Sequence, residues 1–509
     1  MSLTVLSDDD IRNILESLTS SETEALVGQM RSALRDYSTG TQNIDAGLIH
    51  QPERTVVQSN ATNATTLFMP SINADGHAVK GKSNNTFHRC PAGAGNCTTN
   101  TRPVVTLSGG NTAPDQPALK PTGSVTVFSP QGVPTGFLHA KTLTAFRTAL
   151  ASSCLLTKRQ HVRTLTVFGS GLQAYWHVRL ALMLRGDKVK QVYVINRQFS
   201  DSARAILKKF YAVPLETRER EGWDTVKFSV LTPSYGEYER LTKEYVRAAD
   251  VIYCCTPSHE PLFDPSILTN TNGRRKGRLV VAIGSYKPEM REIPRELLEQ
   301  AVRGTHGSAG VHFHKHATEG GVVVVDTLDG AMKEAGEIIE AGIQPNQLVE
   351  LGELVMIRQA AEEEDSIASP STPVSTLSSA DISSDLEKLE LNSGSSAMSS
   401  IYGRNSTETS NAEGGGSSGV GAGEGGRASP KRSGSYTSLF SKVHKRRSSS
   451  QGSDRSKQQN QPDHLARWLT SGNVIYKSVG LGLMDLVVGT EIIRLAQEKG
   501  IGHHIENFS

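Results

Sequence analysis

The fold of this chain is decided by TLTVFGSGLQAYWHVRLALML, residues 164 to 184. An apolar, β-rich run from Leu165 to Phe168 meets Gly169-Ser170-Gly171-Leu172-Gln173-Ala174, and a helical pattern follows. Strand, Gly-x-Gly-x-x-Ala, then helix is the order that a dinucleotide-binding turn requires. Gly169 permits the tight turn, Gly171 lets a pyrophosphate approach the backbone, and Ala174 lets the helix pack closely on the strand. The N–H groups at the helix start, around Leu172 and Gln173, then face the phosphate charge. A second strand, Gln191 to Ile195, follows after one helix length and completes a Rossmann unit.

Outward from this unit the pattern stays regular. Residues 142–156 read as helix, and strands at 162–168, 191–195, 226–230, 250–254, 278–283 and 322–326 alternate with helices at 172–185, 200–210, 237–248 and 327–342. Such alternation predicts a parallel sheet covered by helices on both faces. Upstream, Ser7 precedes Asp8-Asp9-Asp10 and an apolar stripe, Ile11, Ile14, Leu15 and Leu18, which predicts a capped helix. A second helix is expected over Thr23 to Arg35, then strands at Thr65–Pro70, Val79–Lys82 and Ser124–Phe128, with residues 84–122 forming an expanded loop.

From Glu362 to about Asp463 the chain is Ser/Gly-rich, including GGGSSGVGAGEGG at 414–426. It has too little apolar surface to offset ordering entropy, so disorder is expected. Order should resume at His464–Leu469, with a last helix over Ser478 to Lys499. The expected organisation is an α/β protein. Residues 1–141 form an α+β substrate and dimerisation domain completed by 478–509. Residues 142–361 form the Rossmann domain, 362–463 a disordered insertion, and 464–509 the return segment and C-terminal helix.

Composition excludes several classes. The 509 residues carry 54 Lys+Arg against 52 Asp+Glu, a balance with no global attraction to nucleic acid or anionic membrane. Five cysteines, odd in number and unevenly spaced, predict no disulfide framework, and Cys90 and Cys97 lack a CxxC spacing. The first residues show no basic region followed by an apolar core, and no apolar run approaches the roughly 20 residues that span a bilayer. A cytoplasmic protein is therefore expected. His312, His314 and His316 would share one face of a strand, yet no metal is expected there, because polar surface residues explain them. Basic residues ahead of serines, at Lys431-Arg432-Ser433 and Lys445-Arg446-Arg447-Ser448, could recruit a kinase to the insertion.

Several segments resemble, in order, the ornithine cyclodeaminase/μ-crystallin family of NAD(P)-dependent enzymes. They are Leu67-Phe68-Met69-Pro70, Leu143 to Ala149, Gly169 to Ala174, Ala249-Asp250-Val251-Ile252 with Thr256-Pro257-Ser258, and Ala282-Ile283-Gly284. Val325-Asp326, Leu351-Gly352-Glu353-Leu354 and Lys477-Ser478-Val479-Gly480 complete the series. The resemblance implies a homodimer with its active site in the cleft between the two domains. It also implies hydride transfer on a small α-amino or α-imino acid, with Thr256, Ile283 and Gly284 beside the coenzyme.

By the same resemblance Arg54 and Arg147 hold the substrate carboxylate, a task suited to arginine's planar fork. Lys80 matches a lysine that assists proton transfer. Ser478 aligns with a position near substrate or nicotinamide, with a plain helix cap as the other reading. Asn196-Arg197 ends the second Rossmann strand where NAD-preferring folds usually place an acid. NADP(H) is therefore preferred, with NAD(H) as the alternative.

One departure redirects the expected chemistry. Tyr286 stands where similar cyclodeaminases carry an aspartate that positions the side-chain amine, and Met290 stands in place of a coenzyme-contacting lysine. A tyrosine, with a pKa of about 10, carries no carboxylate charge at pH 7. The leading expectation is thus imine or ketimine reduction, or its reverse. Ornithine cyclodeamination to proline and ammonia, and NADPH binding without turnover as a scaffold, are the alternatives.

Overall fold

The computed structural model describes residues 2–42, 49, 51, 52, 54–58, 65–73, 76–84, 122–302, 320–354 and 469–508. The 362–463 insertion with its basic serine motifs, the expanded loop at 85–121, and His312, His314 and His316 lie outside the described residues.

The first strand, β1 (Leu3–Leu6), leads into α1 (Asp8–Glu16). Ser7 caps α1 reciprocally: its Oγ accepts from Asp10 N at 3.2 Å, and the Asp10 carboxylate accepts from Ser7 N at 2.9 Å. The expected stripe of Ile11, Ile14 and Leu15 is fully buried. The next helix, α2 (Ser20–Gln42), runs further at both ends than its apolar pattern suggested.

Then come β2 (Thr55–Gln58), β3 (Thr65–Asn73), β4 (Gly76–Asn84), β5 (Thr122–Phe128) and β6 (Pro134–His139). They form a seven-stranded sheet, ordered β15-β1-β6-β5-β4-β3-β2, whose outer strand β15 (His503–Ile505) comes from the C-terminal region. Strands β1, β2 and β15 span only three or four residues, too few for alternation to be visible in sequence. The last helix, Gly482–Lys499, lies across the inner face of this sheet. A Cβ added to Gly489 would sit 3.2 Å from Leu138 and 3.3 Å from Val127, so glycine lets helix and sheet approach closely.

The long buried helix α3 (Ala140–Leu156) connects this sheet to β7 (Thr164–Phe168) and α4 (Leu172–Arg185). The alternation continues through β8 (Gln191–Ile195), α5 (Asp201–Ala212), α6 (Leu215–Arg220), β9 (Lys227–Leu231), α7 (Tyr238–Ala248) and β10 (Val251–Cys254). After these come α8 (Ser266–Thr269), β11 (Leu279–Ala282), α9 (Arg295–Val302), β12 (Val322–Val325), α10 (Leu328–Glu334), α11 (Gly336–Glu340) and β13 (Leu348–Glu350). With one further strand, β14 (Val474–Lys477), the sheet is parallel throughout and ordered β13-β12-β14-β11-β10-β7-β8-β9. Its strand order reverses between β7 and β10, the place where open α/β sheets bind ligands.

The structure adds a strand that the sequence pattern did not show. β14 (Val474–Lys477), in the return segment, lies between β11 and β12 with all four residues buried. The C-terminal region therefore supplies a central strand of the parallel sheet before its helix, here α12 (Gly482–Lys499), returns to the other sheet.

The two halves share packing. Phe146 of α3 meets Trp176 of α4 edge to face with ring centroids 5.2 Å apart, a contact worth roughly 0.5–1.5 kcal/mol beyond its buried area. Arg179 of α4 donates to both oxygens of Glu221 at 2.6 and 3.0 Å and to Glu16 of α1 at 3.2 Å.

Candidate active site

The C-terminal ends of four neighbouring parallel strands build the site. After β7, Gly169 takes φ +102°, a conformation side chains rarely adopt, and a Cβ there would lie 3.0 Å from Thr256 Cγ2. The turn beyond β7 is thus pressed against the turn beyond β10. Gly171 is exposed, a Cβ on it would meet open space, and it caps α4 with no side-chain hydrogen bond. The first N–H groups of this helix therefore face space a pyrophosphate can enter, which fits a dinucleotide. Ala174 is fully buried under the helix.

Next in line, Gly284 beyond β11 packs on Thr256 so tightly that a Cβ would lie 2.0 Å from its carbonyl oxygen. Ile283 is buried beside it. Beyond β14, Ser478, Val479 and Gly480 wrap around Asp326, whose Oδ2 accepts from Ser478 Oγ at 2.7 Å, Val479 N at 2.9 Å and Gly480 N at 2.7 Å. Tyr476 donates to the other oxygen of Asp326.

Both arginines end on this last turn. Arg54 Nη2 donates to the Gly480 carbonyl at 2.7 Å, and its Nη1 pairs with Glu334 at 2.8 Å. Burial pushes the Arg54 pKa down, Glu334 opposes that, and the nearby Arg147 charge adds to it. Arg147 is 4% exposed and comes from α3, on the other side of the turn. A Cβ on Gly480 would lie 2.6 Å from its Nη1, and Asp485 pairs with its Nε at 3.4 Å. Residues 54 and 147, far apart in sequence, thus bracket one peptide.

Lys80 is placed by backbone register opposite Met69 in β3 and Val125 in β5. The Met69 carbonyl lies 3.0 Å from a Cβ built on Gly482, so the same strands abut the start of α12, just past Gly480. Tyr286 is half-buried two residues past Gly284. Met290 is buried, as its apolar side chain permits and a lysine's charge would oppose. Just past β8, Asn196 donates to Gln198 O at 2.8 Å, and Arg197 is exposed.

Two expectations are corrected. Ser478 is not a helix cap: Gly480 takes φ +86°, α12 starts only at Gly482, and the serine hydroxyl is committed to Asp326. The expected last helix therefore begins four residues later than its apolar pattern implied.

Sequence reasoning also missed the groups that brace these turns. Asp326 and Lys477 fell inside matched segments without a role, and Glu292, Glu334 and Glu337 carried no spacing signal. Lys477 is fully buried; its Nζ donates to Ser285 O and, at 2.6 Å, to Ser285 Oγ, with Glu337 3.5 Å away.

No protein-family model matches the chain. It is 26% identical over 374 residues to an uncharacterized protein of Saccharomyces cerevisiae, covering 70% of this chain and 86% of that one. It is 25% identical over 353 residues to the ketimine reductase mu-crystallin of Mus musculus, covering 69% of this chain and 86% of the relative. The Δ1-pyrroline-2-carboxylate reductase of Thermococcus litoralis, solved with NADH and L-proline, shares the fold at TM-score 0.53 and 15% identity, over 99% of this chain and 100% of that one. The chain is thus similar in sequence and fold to members of the ornithine cyclodeaminase/μ-crystallin family. The residues that depart from the pattern it resembles, Tyr286 and Met290, both follow β11, while Gly169-x-Gly171 follows β7 and Ser478-Val479-Gly480 follows β14. Among the described residues no helix is long and apolar enough to cross a membrane, and no group of three metal-ligating side chains occurs.

Proposed function

We propose that this protein is an NAD(P)H-dependent oxidoreductase that reduces a small cyclic or acyclic α-imino acid, or runs the reverse amino-acid oxidation, with NADP(H) preferred. One observation carries the proposal. Arg54 and Arg147 converge on Gly480, and that turn stands two strands from Thr256, which touches the coenzyme turn at Gly169.

Gly169, Gly171, Leu172, Gln173 and Ala174 would hold the pyrophosphate, with Asn196 and Arg197 at the adenosine end and Thr256, Ile283 and Gly284 at the nicotinamide end. A nicotinamide held there supplies the hydride for a C=N carbon. The two guanidinium groups bind the carboxylate and fix which face of the imine is presented. Their pairing with Glu334 and Asp485 keeps both forks oriented before substrate arrives. Lys80 supplies the proton to nitrogen. Ser478, locked to Asp326, gives the substrate pocket a rigid wall, and Tyr286 closes the side where a cyclodeaminase needs a carboxylate.

A homodimer is part of the proposal. Val57, Ile72 and Phe137 are between 43% and 49% exposed on strands of the seven-stranded sheet. Register places them on the face opposite Met69, Val125 and Leu138, which pack inward.

The test is loss of NADPH absorbance with a panel of cyclic ketimine acids, run beside an ornithine assay for proline and ammonia. Turnover of ketimines without proline formation supports the proposal. Proline formation from ornithine would replace it with cyclodeamination, and tight NADPH binding with no turnover would leave a scaffold.

A further inference from the structure

Below the coenzyme edge lies a fully buried carboxylate, Glu292, in the segment between β11 and α9. Four donors converge on it. Thr256 N and Oγ1 donate to Oε1 at 2.7 and 3.2 Å, and Gly284 N and Ser285 N donate to Oε2 at 2.6 and 3.3 Å. One oxygen therefore holds the turn after β10 and the other holds the turn after β11. These turns touch each other through Gly284 and Thr256, and the first touches the glycine turn through Gly169.

We propose that Glu292 is a positioning residue that clamps the 255–256 and 284–285 turns into one preformed edge for the nicotinamide half of the coenzyme, resting on the coenzyme-binding reading above. The clamp needs the anion. A carboxylate offers acceptors on both oxygens, whereas a protonated acid or an amide turns one donor toward a backbone N–H and releases one turn. The titratable groups around it are Lys477 from β14, Glu337 from α11 and the thiols of Cys254, which ends β10, and Cys255, just past it, both pushed well up by burial. Burial pushes the Glu292 carboxyl up to about 7, with Lys477 opposing and Glu337 reinforcing the rise. The clamp is thus engaged above this pH and released below it.

The experiment is a fluorescence titration of the full-length chain and E292Q with NADH between about pH 6 and pH 8.5. NADH lacks the 2′-phosphate, which would itself titrate near 6. Wild-type affinity should weaken as pH falls through about 7. E292Q should bind about tenfold more weakly than wild type at the alkaline end, with no pH dependence, the two converging at the acid end. A general loss of structure would not produce that convergence. Should E292Q fail to fold, the wild-type profile decides alone. Wild-type NADH affinity that stays flat, or E292Q matching wild type at every pH, overturns the role of Glu292 and leaves the coenzyme reading standing. A wild-type chain that binds neither NADH nor NADPH overturns both.

Discussion

Gly480 and the Arg147 guanidinium are packed against each other, with room for no side chain between them: a Cβ at 480 would lie 2.6 Å from Nη1 and 2.9 Å from Nη2. The backbone there also holds φ +86°, which an L side chain adopts at a cost of about 1–2 kcal/mol. G480A should push the arginine off its position while leaving the coenzyme turn alone. The expected result is a rise of about tenfold or more in KM for the acid substrate, with the KM for NADPH nearly unchanged. Equal loss for both substrates would contradict the placement of the carboxylate at this turn.

Replacing either arginine of the proposed carboxylate clamp by lysine keeps the charge and removes the fork. R147K and R54K should each lower kcat/KM for the amino or imino acid by about ten- to a hundredfold. R54K also loses the bond to the Gly480 carbonyl, so its effect should extend to thermal stability. Steady-state kinetics and melting curves on both variants separate these effects.

Asp326 is 1% exposed, and three donors from residues 478–480 end on a single oxygen. D326N is expected to release the turn and cost about 1–3 kcal/mol, because a neutral amide replaces a charged acceptor. Activity should fall further than stability, since both arginines end on the released turn. Melting temperature measured beside kcat/KM checks the ratio.

The Arg179–Glu221 pair offers a control on stability away from the site. Both side chains are 1% exposed, whereas the other partner of Arg179, Glu16, is 28% exposed. E221A leaves a buried guanidinium with one half-exposed partner and should destabilise by about 3–5 kcal/mol. E16A should cost about 1 kcal/mol or less. Chemical denaturation of the two variants should show this asymmetry.

His177 is buried between α3 and α4, with Nδ1 2.8 Å from Gln173 O and Nε2 3.0 Å from Ser152 Oγ. Burial pushes its pKa down to about 4. The imidazole stays neutral in the fold, so below about 6.5 the unfolded chain binds a proton that the fold refuses. Its stabilisation is complete above that value and is lost as pH falls toward 4, by roughly 3 kcal/mol in all. Glu292 has the opposite sign: its carboxyl is raised, so its contribution is lost as pH rises through about 7. The comparison is therefore wild type against H177Q. The variant should lose less stability than wild type between about pH 6.5 and pH 4.5, measured as the shift in melting temperature.

The sequence by itself determined the Rossmann unit, its glycine turn and most of the parallel sheet. These are local patterns: periodicity over a helix length, a strand followed by Gly169-x-Gly171, a capping box at Ser7. It also singled out Arg54, Arg147 and Lys80 as candidates, through collinear resemblance and not through any local pattern. Only the tertiary structure decided that β14 enters the middle of the sheet. Four apolar residues look alike in a loop and in a buried strand, and their partners are set by contacts remote in sequence. Tertiary structure alone also brought Arg54 and Arg147 onto Gly480, tied Ser478 to Asp326 and placed Glu292 between two turns. Those relationships join residues from separate strands and helices, and a buried acid's role depends on which backbone N–H groups surround it, information that neighbouring residues in the chain do not hold.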